Sequence, residues 1–336
     1  MKKAIKSDEL RRSHSDLVGI DFSTTATKVV RLKKIKGELA LAGIDLQPAV
    51  DFGAVARRME LPRNMGTNYG CLTYSGKDAV VRMINAPLQG EDTMLPPAKL
   101  RELLNVGSDY RVSAQLMKQG RGRQDSSFLA AAMPEDDVRF LLGMFPAGPP
   151  APASIEVAGL SFISAFLHAR GAASTDQAVC LIEAGETVSY FAFLNKGMVA
   201  LVGKFSVGAK MLRSKVAAEL GVDDELAGTI LADPSIDLSS TLSEVATPFL
   251  KQISISKDFI ERHQGCRVAK VYVSGGVSLL PEWSPVVRQI LNTEVSGWNP
   301  FENIRVDADA IPESLAGQVT RFSAAVGAAI GGFEEE

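Results

Sequence analysis

One pattern occurs twice in this chain and limits its fold more than anything else. An apolar strand closes on an acid, a polar turn follows, then a return strand, a second turn and a third strand. In the first copy Leu17, Val18 and Ile20 lead to Asp21, Ser23-Thr24-Thr25 fills the turn, and Val29-Val30-Arg31-Leu32 leaves as a run of β-formers. Lys36-Gly37 turns the chain into a third strand, Glu38 to Leu46. The second copy starts ~160 residues later, which is the signature of an internal duplication. Ala178 to Ile182 is its first strand, Glu183-Ala184-Gly185-Glu186-Thr187 its acidic turn, Val188 to Leu194 the return strand, and Met198 to Phe205 the third, after Asn195-Lys196-Gly197. Helices follow each copy. The inference is a duplicated α/β fold in which two acidic turns face each other across a cleft.

A hydroxyl-rich hairpin alone is ordinary. Its chemistry is nonetheless specific, because small hydroxyl residues in a turn offer N–H groups and hydroxyls to an anion, and an adjacent acid such as Asp21 can hold a metal through water. A third stretch, Val268 to Leu280, completes the set. An apolar strand ends at Ser274-Gly275-Gly276, where two glycines let a flat ring approach the backbone, and Leu279-Leu280-Pro281 is expected to open a helix.

The 336 residues suffice for two domains or one large two-lobed one. An apolar fraction of 46% with 22% charged residues is that of a globular protein, and a net charge of −3 gives no footprint for nucleic acid. Cys71, Cys180 and Cys266 fit no metal spacing and read as buried thiols in a reducing compartment; His14, His168 and His263 show no ligand pattern either. No apolar run approaches the ~18 residues that span a bilayer. The basic start has no apolar core behind it, so residues 1–16 are expected as a mobile cytoplasmic tail.

Between the two copies, Asp51 to Leu61 is expected as a short helix with an aspartate cap. Residues 69–133 read as a separate small unit of four strands and one helix, with Lys118 to Arg123 as a basic hairpin tip. Pro134 to Phe145 begins a helix with three acids at its positive end, Pro146 to Pro152 is a rigid connector, and Val157 to Ala169 is a buried helix. Beyond the second copy come helices at Gly208 to Leu220, Asp223 to Ala232 and Leu242 to His263. A small-residue helix at Ser314 to Ile330 and a frayed acidic end complete the chain.

Taken together, Gly19-Ile20-Asp21 with Ser23-Thr24-Thr25 and Lys28 resembles the first phosphate motif of the actin-like ATPase superfamily. Glu183 to Thr187 resembles the second, and Val273-Ser274-Gly275-Gly276 the adenosine motif. More narrowly, the chain is similar to the PilM family of type IV pilus assembly proteins, through Leu279-Leu280-Pro281, Asn299-Pro300-Phe301 and the Ala/Gly-rich last helix. The resemblance implies an actin-like, ribonuclease H-like fold of two lobes, each with a five-stranded sheet, and ATP between them. The first lobe would span 17–170 with an inserted subdomain at about 69–133, the second 171–313, and the helix at 314–331 would return to the first lobe. It also implies a cytoplasmic scaffold that docks the N-terminal peptide of a PilN-like inner-membrane protein beside the inserted subdomain, with other pilus components as partners.

By that resemblance Ser23, Thr24 and Thr25 would hold the β-phosphate, with Lys28 a lesser contributor that solvent could claim. Gly185, Glu186 and Thr187 would face the γ-phosphate, and Gly275, Gly276 and Val277 would lie under adenine. Gly208 would let its helix approach the ribose. Asp21 and Glu183 would order water around Mg²⁺ and are the candidates for any catalytic role. Three departures point to weakened ATP binding and slow or absent hydrolysis. Ser23 stands where the family has glycine, which would strain a left-handed turn. Glu183 stands for aspartate and Glu186 for a small residue, leaving the charge around a triphosphate unfavourable by one. The family's nucleoside-gripping acid and lysine have no counterpart between Asp223 and Ala232. Two other readings share the fold: a small-molecule kinase, for which no dedicated substrate acid is found, and an FtsA-like membrane-associated filament protein, against which the acidic terminus argues.

Overall fold

The structure, a computed structural model, describes residues 14–88, 94–120, 125–174 and 176–334. The first meander is β1 (Asp16–Phe22), β2 (Ala26–Ile35) and β3 (Glu38–Pro48), antiparallel throughout. Its second turn places Lys36 (φ 53°) and Gly37 (φ 90°) in left-handed conformations, the pair that matches the twist of a two-residue hairpin. β4 (Tyr69–Tyr74) lies parallel to β1. The chain then leaves for β5 (Val80–Ala86), α1 (Pro97–Leu104), β6 (Tyr110–Lys118), β7 (Ser126–Pro134) and α2 (Glu135–Gly143), and returns as β8 (Ala151–Val157), parallel to β4. α3 (Ala158–Ser174) crosses to the second meander, β9 (Ala178–Ala184), β10 (Ser189–Asn195) and β11 (Met198–Phe205). Here Lys196 (φ 53°) and Gly197 (φ 74°) repeat the turn.

α4 (Ala209–Leu220), α5 (Asp224–Ala232) and α6 (Ser239–Gln264) precede β12 (Val268–Ser274), α7 (Trp283–Leu291), β13 (Glu294–Gly297), β14 (Arg305–Val306) and α8 (Ser323–Glu334). The second sheet has the order β11-β10-β9-β12-β13. The first repeats it as β3-β2-β1-β4-β8 and adds β14 beyond β3, so it has six strands where five were expected. The extra strand comes from the second half of the chain. This repeated order, with helices on the sheets, is the actin-like α/β fold.

Both first strands are buried on both faces, and in β9 residues alternate between two cores with period two. In β9, Val179 and Leu181 face the core shared with the first half, while Cys180 and Ile182 face α4, α6 and α7. Glu183 therefore points toward the junction of the halves. A third small core lies between α1 and the sheet β5-β7-β6. Lys204 at the end of β11 reaches the loop entering that sheet and donates to the carbonyls of Gly76, Lys77 and Ala79.

Several expected elements differ. β4 belongs to the first sheet, so the inserted unit starts at β5 rather than at residue 69. Asp16 is not tail but the start of β1, ion-paired with Arg31; residues 1–13 and the tip 121–124 lie outside the described residues. No helix forms over 51–61. Asp51 Oδ1 accepts from the Gly53 N–H at 2.8 Å in a local turn, and the Met59 N–H is taken by the Met144 carbonyl at 2.9 Å, so tertiary partners replace helical ones. The proline connector ends inside β8, an edge strand that tolerates Pro152. Leu279-Leu280 closes a 3-10 turn at Gly276–Leu279, and the helix begins at Trp283. The expected last helix is 3-10 over Glu313–Phe322 and becomes α-helical at Ser323.

α8 packs backbone against backbone. A Cβ at Gly19 of β1 would overlap the Ala325 carbonyl oxygen, and one at Gly327 the Ser161 carbonyl oxygen of α3. Gly327→Val is expected to cost about 3 kcal/mol through overpacking, read as a lowered denaturation midpoint; an unchanged midpoint would show that the α3–α8 contact is loose.

Candidate functional site

The two first strands end on acids at the same register position. Asp21 faces Lys28 across β1–β2, and Glu183 faces Tyr190 across β9–β10. The facing residues give the two acids different neighbours. Lys28 Nζ lies 2.6 Å from Asp21 Oδ2 and donates to Ser23 Oγ at 2.9 Å. It is only 12% exposed, so it is tied into the first turn rather than solvated. Ser23 Oγ in turn donates to the Ala26 carbonyl at 2.8 Å. Ser23 is not among the residues with positive φ, so its Cβ introduces no left-handed strain. Ser75, just past β4, donates to Asp21 Oδ1 at 3.4 Å.

Glu183 has no cation opposite. Ser323, the first residue of α8, donates to its Oε1 at 2.9 Å; Oε2 is buried and has no hydrogen-bond partner among the described residues, nor has the Tyr190 hydroxyl. Burial pushes the Glu183 carboxyl up to about 8, and the charge of Asp21 acts in the same direction, while the Ser323 bond and Lys28 only partly oppose them.

The turns after the acids face each other, with Thr24 Oγ1 and Thr187 Oγ1 3.4 Å apart. Gly185 is demanded by the second turn, where an added Cβ would stand 2.6 Å from the Val188 carbonyl oxygen. Behind this turn, Ala209 and Lys210 N–H donate to the Gly185 and Glu186 carbonyls at 3.0 and 2.9 Å. The first-turn donors of α4 are thus partly used by the turn itself. The diglycine corner divides its labour. Gly275 (φ 85°) presses on the Ala184 backbone and donates its N–H to the Thr320 carbonyl at 3.1 Å, so the fold requires it; a Cβ at Gly276 would meet nothing within 4 Å.

Asp21, Ser23, Thr24, Thr25, Lys28, Glu183, Gly185, Glu186, Thr187, Gly275, Gly276 and Val277 all line one cavity of about 370 Å³ between the sheets. Gly208 does not. It sits behind the second turn against the Gly185 and Glu186 carbonyls, and Ala209 takes its place in the wall. The far end is walled by Gly228, Leu231 and Ala232 of α5 with Leu279 and Leu280.

Sequence reasoning missed the cations that offset Glu186. Arg213 of α4 holds it with both ends of the guanidinium, Nη1 to Oε2 at 3.2 Å and Nη2 to Oε1, and adds Asp224 Oδ2 through Nε at 3.2 Å. Arg321 also lines the cavity, its guanidinium made less basic by burial and partly restored by Glu186. Arg213 was legible as a cation on the helix following the second turn. Arg321 and Ser323 carry no local signal, because their contacts are long-range.

The site can take an anion against its turns and a flat apolar group at its far end. Its two acids are hard oxygen donors, and Glu183 Oε2 is an orphaned acceptor. That suits Mg²⁺, which keeps most of its waters and needs only one or two carboxylates. Among the described residues no cluster of three or more His, Cys, Asp or Glu could grip a metal directly.

Glu183 makes stability depend on pH. Its folded pKa of about 8 lies above the ordinary 4.5, so between those values the unfolded chain releases a proton that the folded protein keeps. This contribution falls as pH rises from 4.5 to 8 and is lost above 8. Glu183→Gln removes it while leaving an acceptor for Ser323. The variant should gain thermal midpoint over the parent by a few °C between pH 5 and pH 8; midpoints that stay parallel would refute the assignment.

Against known proteins, residues 129–333 match the family model of type IV pilus assembly protein PilM. Among solved structures, the chain superposes on a PilM-PilN type IV pilus biogenesis complex with a TM-score of 0.75 and 16% identity, covering 94% of this chain and 98% of that one. A more distant likeness is MreB 5 of Spiroplasma citri bound to AMPPNP, with a TM-score of 0.47, 9% identity and coverage of 94% and 95%. By the family model, which takes in more than half of its length, this actin-like chain belongs to the PilM family of type IV pilus assembly proteins.

Proposed function

We propose that this pilus-assembly protein is a nucleotide-binding scaffold that takes Mg-ATP between its sheets and recruits the N-terminal cytoplasmic peptide of a PilN-like inner-membrane protein. The observation that carries the nucleotide half is the convergence of two hydroxyl-bearing turns, two acids and a glycine corner on one cavity. The turns at Ser23–Thr25 and Gly185–Thr187 receive the phosphates, and Gly276 and Val277 lie under the base. When bound, Mg²⁺ would neutralise phosphate charge through water held by Asp21 and Glu183. Hydrolysis is slow in this reading. Asp21 is ion-paired with Lys28 and Glu183 is tied to Ser323, so neither is a free base for water.

The partner half rests on family membership and on the superposed structure, a complex of PilM with PilN. A groove of about 450 Å³ lies between the end of β3, the irregular 50–60 segment and α2, which follows the inserted unit. Pro48, Val50, Phe140 and Met144 give it an apolar floor, and Arg57, Arg58, Asp51 and Glu60 a rim of mixed charge. Val55 stands on its edge 86% exposed, an apolar side chain with nothing covering it. An extended peptide with apolar side chains fits this groove. Its membrane protein would hold the scaffold at the cytoplasmic face of the inner membrane; among the described residues no helix is long and apolar enough to cross a membrane.

Calorimetry should give heat with Mg-ATP below millimolar concentration, and binding of a synthetic PilN-type N-terminal peptide that Val55→Asp weakens about tenfold, as loss of an apolar interface contact would. No heat at millimolar nucleotide removes the first half of the proposal, and no peptide binding the second.

A further inference from the structure

Glu186, Arg213 and Arg321 line the phosphate end of the cavity, and their arrangement does more than brace a turn. Glu186 is 11% and Arg213 22% exposed, and the pair is two-pronged. A guanidinium fork that fits a carboxylate fits a phosphate equally well. Arg321 is half-buried in the same wall and close enough to Glu186 to feel its charge. Among the described residues, the only carboxylate hydrogen-bonded to Arg213 besides Glu186 is Asp224, which is 66% exposed and touches Nε alone. The face of Arg213 turned toward Glu186 is therefore filled by an acid of the cavity's own wall.

Resting on the reading that this cleft takes Mg-ATP, we propose that Glu186 is a built-in competitor. Its carboxylate occupies the fork of the Arg213 guanidinium, and the terminal phosphates of a nucleoside triphosphate must displace it. The turn makes exchange feasible: Glu186 is carried between Gly185 and Thr187 at the cavity wall, so its side chain can be released without unfolding a strand. Affinity is then set by the difference between two anions for one guanidinium. A purely structural clamp predicts the opposite sign, since removing Glu186 would loosen the turn and weaken binding.

The test is a titration of the full chain with Mg-ATP and, separately, with inorganic tripolyphosphate, which bypasses the base end. Glu186→Ala should bind both about tenfold more tightly than the parent, the size expected for a charged hydrogen bond. Arg213→Ala should bind about tenfold more weakly. In the Arg213→Ala background the gain from Glu186→Ala should vanish, because the competitor has nothing left to compete for. Glu186→Gln, which keeps size and one acceptor oxygen but not charge, should gain several-fold and guards against a Glu186→Ala chain that does not fold. Equal or weaker binding by folded Glu186→Ala or Glu186→Gln, with the parent binding Mg-ATP, overturns the competitor and leaves the nucleotide reading standing. Tighter tripolyphosphate binding by the variants with no Mg-ATP binding anywhere does the reverse. No binding of either probe by any variant removes both.

Discussion

The close approach of α8 to β1 and α3, backbone on backbone through Gly19 and Gly327, sets the position of every cleft group the chain end supplies. Thr320 takes the Gly275 N–H, Arg321 enters the cavity wall, and Ser323 binds Glu183. These lie on the 3-10 to α transition that leads directly into the packed helix. The cleft is therefore not built by two independent halves that happen to meet. Its chemistry is finished by residues whose location depends on how tightly a small-residue helix can sit on a sheet, since dispersion and burial reward close contact only where no side chain intervenes.

The duplication was legible because it rests on local signals: alternation, an acid at a strand end, and Lys-Gly turns whose left-handed geometry is now visible at Lys36-Gly37 and Lys196-Gly197. What duplication could not convey is how the copies diverged. Asp21 and Glu183 are equivalent, yet one faces lysine and the other tyrosine. Asp21 is ion-paired across the strands, whereas Glu183, buried and with no cation opposite, keeps its proton to about pH 8. Reading the two meanders against each other strand by strand, rather than motif by motif, would have exposed it.

Other misreadings share a physical origin. The 51–61 segment carried an aspartate cap and an apolar stripe, but its backbone partners come from α2's end and β3, contacts that no local window contains. β13 and β14 are short, and their pairing is decided by neighbours already in place. The charge estimate around Glu186 failed in the same way. Counting acids in a motif omits arginines delivered by a helix and by the chain end, and electrostatics in a cleft is a sum over everything that lines it.

Lys204 carries a consequence of a different kind. It spans from the second sheet to three carbonyls of the loop that feeds the inserted one, and burial lowers its pKa to about 8. Those carbonyls are the ammonium's substitute for water. A rotation of the second sheet away from the first must either strip a half-buried cation of its acceptors or tow the inserted unit with it. The small sheet is moored to the second sheet although its chain interrupts the first, so its position is tied to that of the second sheet.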